Sequence, residues 1–319
     1  MTRRRGRRRR WVDWLSAMTV GFLLAALARL PERLSYALAG RAGILFWYGS
    51  SWRARIALAN LAQALGPGAD AARIRRIARK SFQSLMKVAL DFARLPRVLR
   101  RDTLLERVDT TQLDERLAEL AEAGEGELVF VSGHLGGIEV GGAVLAYRRR
   151  MVNVIARRVE NPYLDAMARR GRQSRGLRIH PRRGGIKPLV KAVESGEDAA
   201  LLIDQNQRKR GLFLPFFGRL ASTDRSAAVL AMRRGVPRPV LVGFAIRQGP
   251  AFRFTMEFAP VIRPTQRELA ERDLAGLTRR ITAAMEEIIL RHPEQYLWLH
   301  DRYKTRPPGE REEGGGSPG

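Results

Sequence analysis

From residue 127 onward, hydrophobic positions come in short β-prone runs separated by helical patterns. The runs predict strands over 128–131, 152–156, 177–180, 199–203, 239–244 and 252–258. Between and after them, the 3.6-residue spacing of apolar positions predicts helices over 138–149, 162–172, 186–194, 224–234 and 267–290. The last opens on Pro264-Thr265-Gln266-Arg267-Glu268, a capping-box pattern. Leu274, Leu277, Ile281, Met285 and Ile288 then mark one face of it. Strands alternating with helices predict an α/β fold with a mostly parallel central sheet flanked by helices. In such sheets the ligand sits beyond the carboxyl ends of the strands.

The first half of the chain has a different pattern. Trp14 to Ala28 is uncharged between Asp13 and Arg29, and a second apolar piece, 42–52, carries Phe46, Trp47, Tyr48 and Trp52. Aromatic residues of this kind favour the membrane–water interface. Both pieces fall short of a clean span of ~17–25 apolar residues, and Arg29, Pro31, Arg33 and Arg41 divide them. They predict an N-terminal helical membrane anchor over 1–52, shallow more than spanning. A signal-peptide reading fits the basic start, the apolar run and the small residues at Ala26 and Ala28, but the lack of cysteine weighs against export. From 53 to about 94, apolar positions keep helical spacing with arginines on the other face, broken at Pro67-Gly68. The expected organisation is an anchor over 1–52, a domain over 53–306 and a Gly/Pro/Glu-rich disordered tail over 307–319.

Charge and composition narrow the chemistry. Fifty-eight Lys+Arg against 32 Asp+Glu give a net charge of +26, which calls for an acidic partner, nucleic acid or anionic lipid. The aromatics gather in the apolar N-terminus instead of alternating with basic residues, which favours the membrane over nucleic acid. Zero cysteines exclude disulfides, thiolate metal sites and thiol catalysis. No pair among His134, His180, His292 and His300 has helix spacing suited to a metal, and there is neither a phosphate-binding loop nor a dinucleotide fingerprint. A Ser132 nucleophile would lack its G-x-S-x-G elbow.

Three clusters remain. Val129 to Ser132 leads into Gly133-His134-Leu135-Gly136-Gly137-Ile138-Glu139, a strand delivering an imidazole into a glycine-rich bend with a carboxylate on the next helix. This suits His134 as a general base, with Glu139 accepting from one ring nitrogen and freeing the other. Asp204, ending another strand, has the same address, and Pro215-Phe216-Phe217-Gly218 follows it. Phe216 and Phe217 either plug the core or line a groove for an acyl chain or carrier arm. Arg157, Arg158, Arg170, Arg172, Arg182 and Arg183 lie at strand and helix ends, suited to clamping phosphate.

Taken in order, these blocks resemble the lipid A lauroyl/myristoyl acyltransferase family. His134 to Glu139 matches its H-x4-[D/E] signature. Arg157 with Asn161 and Arg170-Gly171-Arg172 resembles its arginine segment, and Asp204-Gln205 through Phe217-Gly218 resembles its Asp-Gln…Pro-Phe-Phe block. His292 to His300 with Tyr303 to Pro307 is similar to its C-terminal signature and is the most specific match. The chain departs from it at Leu135 to Ile138 and at Asp301, both near the acceptor side.

The resemblance implies a glycerolipid acyltransferase-like fold at the cytoplasmic face of the bacterial inner membrane. It implies transfer of a fatty acyl group from acyl-carrier protein, or acyl-CoA, to a hydroxyl of a lipid A precursor, with no cofactor, metal or nucleic acid. A glycerophospholipid or a phosphatidylinositol mannoside is the alternative acceptor. In this scheme His134 and Glu139 act as a dyad, and the N–H groups of Gly136 and Gly137 hold the oxyanion. Arg157, Arg170, Arg172, Asp204, Phe216 and Phe217 bind substrate.

Overall fold

A computed structural model describes residues 2–309 except 150, 157–159, 174–175, 182–185 and 234–236. The side chains of 2–9 are likewise outside the description. Four helices come first: α1 (Thr2–Leu27), α2 (Glu32–Gly49), α3 (Ser51–Leu65) and α4 (Ala71–Val98). α4 starts where the Asp70 side chain accepts from the N–H groups of Ala72 and Arg73. A short helix α5 (Leu104–Arg107), strand β1 (Val108–Asp109) and helix α6 (Thr111–Glu122) follow.

The alternating part then runs β2 (Val129–Ser132), α7 (Ile138–Arg148), β3 (Val152–Ala156), α8 (Pro162–Gln173), β4 (Leu177–Pro181), α9 (Ile186–Glu194) and β5 (Asp198–Leu202). Next come β6 (Leu212–Phe216), β7 (Arg219–Thr223), α10 (Ser226–Ala231), β8 (Val240–Arg247) and β9 (Phe254–Phe258). Helices α11 (Gln266–Glu271) and α12 (Leu274–Arg291) close the fold.

Seven strands form one sheet in the order β1-β9-β8-β2-β5-β3-β4. β8, β2, β5, β3 and β4 are mutually parallel, as the alternation predicts, and β9 runs antiparallel to β8. Both faces are covered, so strand residues are apolar in succession. Val129 and Val131 enter a core shared with α3, α4, α9, α10 and α12, while Phe130 enters the opposite core under α2, α4, α6 and α7.

One expectation changes. The stretch 267–290 is two helices, not one. Arg272 takes a left-handed conformation (φ +54°) after α11, and Asp273 caps α12 by accepting from Gly276 N–H at 2.8 Å. The capping box itself forms at Thr265 and Glu268. The Pro-Phe-Phe-Gly segment forms the tip of the antiparallel hairpin β6–β7, with its turn at Phe217-Gly218.

α2 is built into the body of the fold. Its Tyr36 hydroxyl donates to Asp91 of α4 at 2.7 Å, and Asp91 is ion-paired with Arg247 at the end of β8. Asp91 is 1% exposed. A buried carboxylate keeps its charge only when cation and donor are both in place. This triad fastens the N-terminal helices to the sheet beside the glycine-rich bend.

Candidate active site

β2 and β5 are parallel neighbours with Ser132 opposite Leu202. Two residues further along each strand stand His134 and Asp204, so the register alone brings them side by side. The Asp204 carboxylate accepts from the His134 backbone N–H at 2.7 Å and lies 2.9 Å from Nδ1 of its ring. The intervening residue must be glycine: a Cβ on Gly133 would stand 2.8 Å from Asp204 Cγ. With Nδ1–H given to Asp204, Nε2 carries the lone pair, and the side-chain amide of Gln205 lies 3.2 Å from it.

Asp204 is 3% exposed. The buried Tyr296 hydroxyl stands beside this carboxylate and interacts with it. Burial pushes Asp204 upward, but the His134 charge, the two hydrogen bonds from His134 and the Arg302 charge prevail and hold it below the ordinary carboxylate value. Burial pushes His134 down, and the Asp204 charge with its hydrogen bond outweighs that, leaving the imidazole above its ordinary 6.5.

The C-terminal block fixes the loop from the other side. Leu135 and Tyr296 form an antiparallel bridge, and Leu297 N–H donates to the His134 carbonyl at 3.0 Å. Gly136 sits at φ +62° where a Cβ would stand 2.1 Å from the Ala245 carbonyl oxygen, so only glycine fits.

The geometry gives several of the residues singled out in the sequence partners other than those expected. Glu139 does not orient His134; that position belongs to Asp204. The left-handed bend at Gly136 turns the chain into α7, and the Glu139 carboxylate is held there by Arg172 of α8. The Arg172 Nε lies 3.1 and 3.0 Å from its two oxygens, and a second guanidinium nitrogen also donates. Arg172 therefore faces a carboxylate, not open space.

The N–H groups of Gly136 and Gly137 are already spent, on the carbonyls of Gln295 (3.3 Å) and Ala245 (2.7 Å). They are not free to hold an oxyanion. Phe216 and Phe217, 1% and 7% exposed, pack against each other, and Phe217 packs on Trp298. Their carbonyls accept from Tyr303 and Gln63 at 2.7 and 2.8 Å. They plug the core, and neither reaches the cavity. Arg170 is exposed and stands outside the cavity lining, whereas its neighbour Arg169 is part of it. Arg157, Arg158, Arg182 and Arg183 lie outside the described residues.

His134 and Glu139 open into a cavity of about 800 Å³. Its inner part runs beneath α7 against β2, β8 and β9 and is apolar, with Phe130, Leu145, Leu241, Met256 and Phe258. Gly141 and Gly142 face it from α7, and a Cβ on them would meet only Ala245 Cβ at 3.7 Å and Leu177 Cδ1 at 3.4 Å. Two glycines inside a helix cost about 1 kcal/mol each relative to alanine, and here they keep the cavity open. The outer part is basic and polar, with Arg169, Arg172, Lys209, Arg210 and Arg225. The other three histidines have separate partners: His180 meets Asn153, His292 meets Glu257, and His300 accepts from Asn206 N–H.

Sequence reading missed Tyr296 and assigned Asp204 to substrate instead of to the histidine. The signal for Asp204 was present in its place at a strand end. Nothing in the sequence placed Tyr296 against it, because that contact crosses 92 positions (296 minus 204).

The arrangement offers an imidazole held by a buried carboxylate, an apolar chamber and a basic mouth. A family model described as bacterial lipid A biosynthesis acyltransferase matches residues 2–305. The chain is 26% identical over 304 residues to the lipid A biosynthesis myristoyltransferase of Escherichia coli K12, covering 95% of this chain and 90% of the relative. It is 26% identical over 310 residues to the lauroyltransferase of the same organism, covering 94% of each. With the palmitoleoyltransferase, also from that organism, the match is 29% over 187 residues, 57% of this chain and 58% of the relative. The chain, an O-acyltransferase with its histidine at the mouth of an apolar chamber, therefore belongs to the bacterial lipid A biosynthesis acyltransferase family.

Proposed function

We propose that this chain moves a fatty acyl group from the thioester of acyl-carrier protein, or of acyl-CoA, to a hydroxyl of a lipid A precursor at the cytoplasmic face of the inner membrane. His134 is the general base. The observation that carries the reading is the His134 ring, tied at Nδ1 to Asp204 and presenting Nε2 to the cavity where apolar chamber and basic mouth meet.

The acyl chain lies beneath α7 with its thioester carbon beside Nε2. As the acceptor oxygen attacks that carbon, its proton passes to Nε2 and the carbonyl oxygen takes the negative charge. Asp204 stabilises the imidazolium that forms. The Gln205 side-chain amide, 3.2 Å from Nε2, is a neutral donor at this point, and an oxyanion donor contributes ~3 kcal/mol. When the tetrahedral intermediate collapses, the carbon–sulfur bond breaks and His134 returns its proton to the departing thiolate. Arg169, Lys209, Arg210 and Arg225 at the mouth suit both acidic partners, the phosphorylated lipid and the carrier. The Glu139–Arg172 pair braces the acceptor side of the same opening.

The test is mass spectrometry of lipid A from a host lacking its own late acyltransferase, expressing either this chain or its His134→Ala variant. One added acyl group with the native chain alone is the expected result and gives chain length at once. Unchanged lipid A with an altered glycerophospholipid pool would move the acceptor to that class. Full activity of the His134→Ala variant would remove His134 as the base.

A further inference from the structure

α1 carries the one stretch among the described residues long and apolar enough to cross a bilayer, Arg10–Leu27. Its surface is divided lengthwise. Asp13, Ala17, Gly21, Leu24 and Ala28 recur at helical spacing and are half-buried or buried, and they face the protein. Trp11, Leu15, Phe22 and Leu23 are more than half exposed, at 63%, 60%, 74% and 55%, and Trp14 and Met18 join them on the outer side.

The inner stripe is anchored along its length. Asn161, at the start of α8, donates to the Asp13 carbonyl at 2.6 Å and to the Ser16 hydroxyl at 3.1 Å. Gly21 lies against Met167 of α8. Ala28 belongs to the core with Leu90 and Leu95 of α4, and Arg94 donates to the Leu30 carbonyl at 2.8 Å.

Two consequences follow. Were α1 to cross the hydrocarbon, its midpoint would carry α8 with it, and α8 bears Asp165, Arg169, Arg170 and Arg172. Charged side chains at that depth are strongly disfavoured. The flanks forbid crossing as well. Seven arginines precede the apolar stretch between residues 3 and 10, and Arg29, Arg33 and Arg41 follow it. Basic flanks stay on the cytoplasmic side, and a spanning helix would have to export one of them.

We propose that α1 does not span the membrane but lies in the plane of its cytoplasmic surface. Trp11, Trp14, Leu15, Met18, Phe22 and Leu23 enter the acyl boundary, and both basic flanks rest on anionic phospholipid headgroups. This deepens the membrane placement stated under the proposed function and rests on it. α8 is then pressed between bilayer and active site: Met167 touches α1, while Ala168, Arg169 and Arg172 line the cavity mouth. A lipid acceptor reaches His134 by sliding sideways out of the leaflet.

The absence of native cysteine makes a labelling test direct. Thr2→Cys and Ser317→Cys, each in the full-length chain, are treated with a membrane-impermeant maleimide in spheroplasts and in inverted membrane vesicles. Both sites should label in inverted vesicles and neither in spheroplasts. Labelling of Thr2→Cys in spheroplasts would overturn the proposal. In parallel, the purified chain should float with phosphatidylethanolamine/phosphatidylglycerol vesicles, and Trp14→Ser/Phe22→Ser should bind them at least tenfold more weakly. Its acyl transfer to detergent-dispersed acceptor should stay within twofold of native. A chain that never floats yet transfers acyl groups in detergent would overturn the membrane seat while leaving the reaction standing.

Discussion

Asp204 holds His134 twice with one carboxylate, at the backbone N–H (2.7 Å) and at ring Nδ1 (2.9 Å). A single buried charge thus sets where the loop lies, which tautomer the ring adopts and how readily it takes a proton.

Replacing that charge should slow the reaction and move its pH dependence. As the general base proposed above, His134 must be neutral, and Asp204 holds its pKa above 6.5. In Asp204→Asn only burial remains, so the acidic limb of kcat/KM should move to lower pH while the plateau falls roughly 10²–10³-fold. Stability supplies a second readout. The raised His134 value contributes below 6.5 and is lost as pH rises through the folded value, and the lowered Asp204 value contributes above 3.8 and is lost on acidification. The Tm deficit of Asp204→Asn should therefore be largest between about pH 4 and 6.5.

Glu139 should behave differently. It meets Arg172 and not the ring, so Glu139→Gln should lower kcat/KM by about tenfold or more without moving the acidic limb. A limb that shifts in Glu139→Gln and stays put in Asp204→Asn would reverse the assignment.

Tyr296→Phe removes one hydroxyl from a buried ring. A hydrogen bond to a charged group contributes ~1.5–3 kcal/mol, so kcat should fall about tenfold with KM little changed. The loss should be absent when Tyr296→Phe is added to Asp204→Asn. Equal losses in both backgrounds would show that the hydroxyl acts through packing alone.

Chain length should respond to α7. Gly142→Ala meets only Leu177 at 3.4 Å and should keep the fold, with Tm unchanged or raised, because alanine is the better helix former by about 1 kcal/mol. Gly142→Leu fills the chamber and should shift the product to shorter acyl chains, read directly in the lipid mass. An unchanged chain length would place the acyl group elsewhere.

Glu286 on α12 gives a pH test away from the site. Burial pushes its pKa up to about 7, against a hydrogen bond from Phe217 N–H and the Arg302 charge. Its favourable contribution is present below 4.5 and lost as pH rises through 7. Glu286→Gln should match the native chain at pH 4 and exceed it at pH 8 by about 1 kcal/mol, after screening of a half-exposed group. That is about 2 °C in Tm.

Local pattern by itself determined the α/β alternation, the parallel strands and the histidine at a strand end. Strand length, helical spacing and the bend at 133–137 all act over a few residues, so each leaves its mark in the local sequence. The same holds for the Thr265–Glu268 capping box. What lay beyond reach depends on register and on distant partners. Glu139 follows His134 by five positions and seemed its natural partner, but the left-handed turn at Gly136 sends it to Arg172. Asp204, 70 positions away, takes its place because β2 and β5 pair as parallel neighbours.

Gly136 and Gly137 carry free-looking N–H groups in the sequence, and only packing against Ala245 and Gln295 uses them up. Whether Phe216 and Phe217 line a groove or fill the core turned on Trp298, contributed by the far end of the chain. Tertiary structure chose the partners, because a charge or a ring is satisfied by whatever group folding brings within a few ångströms, however far away it lies in sequence.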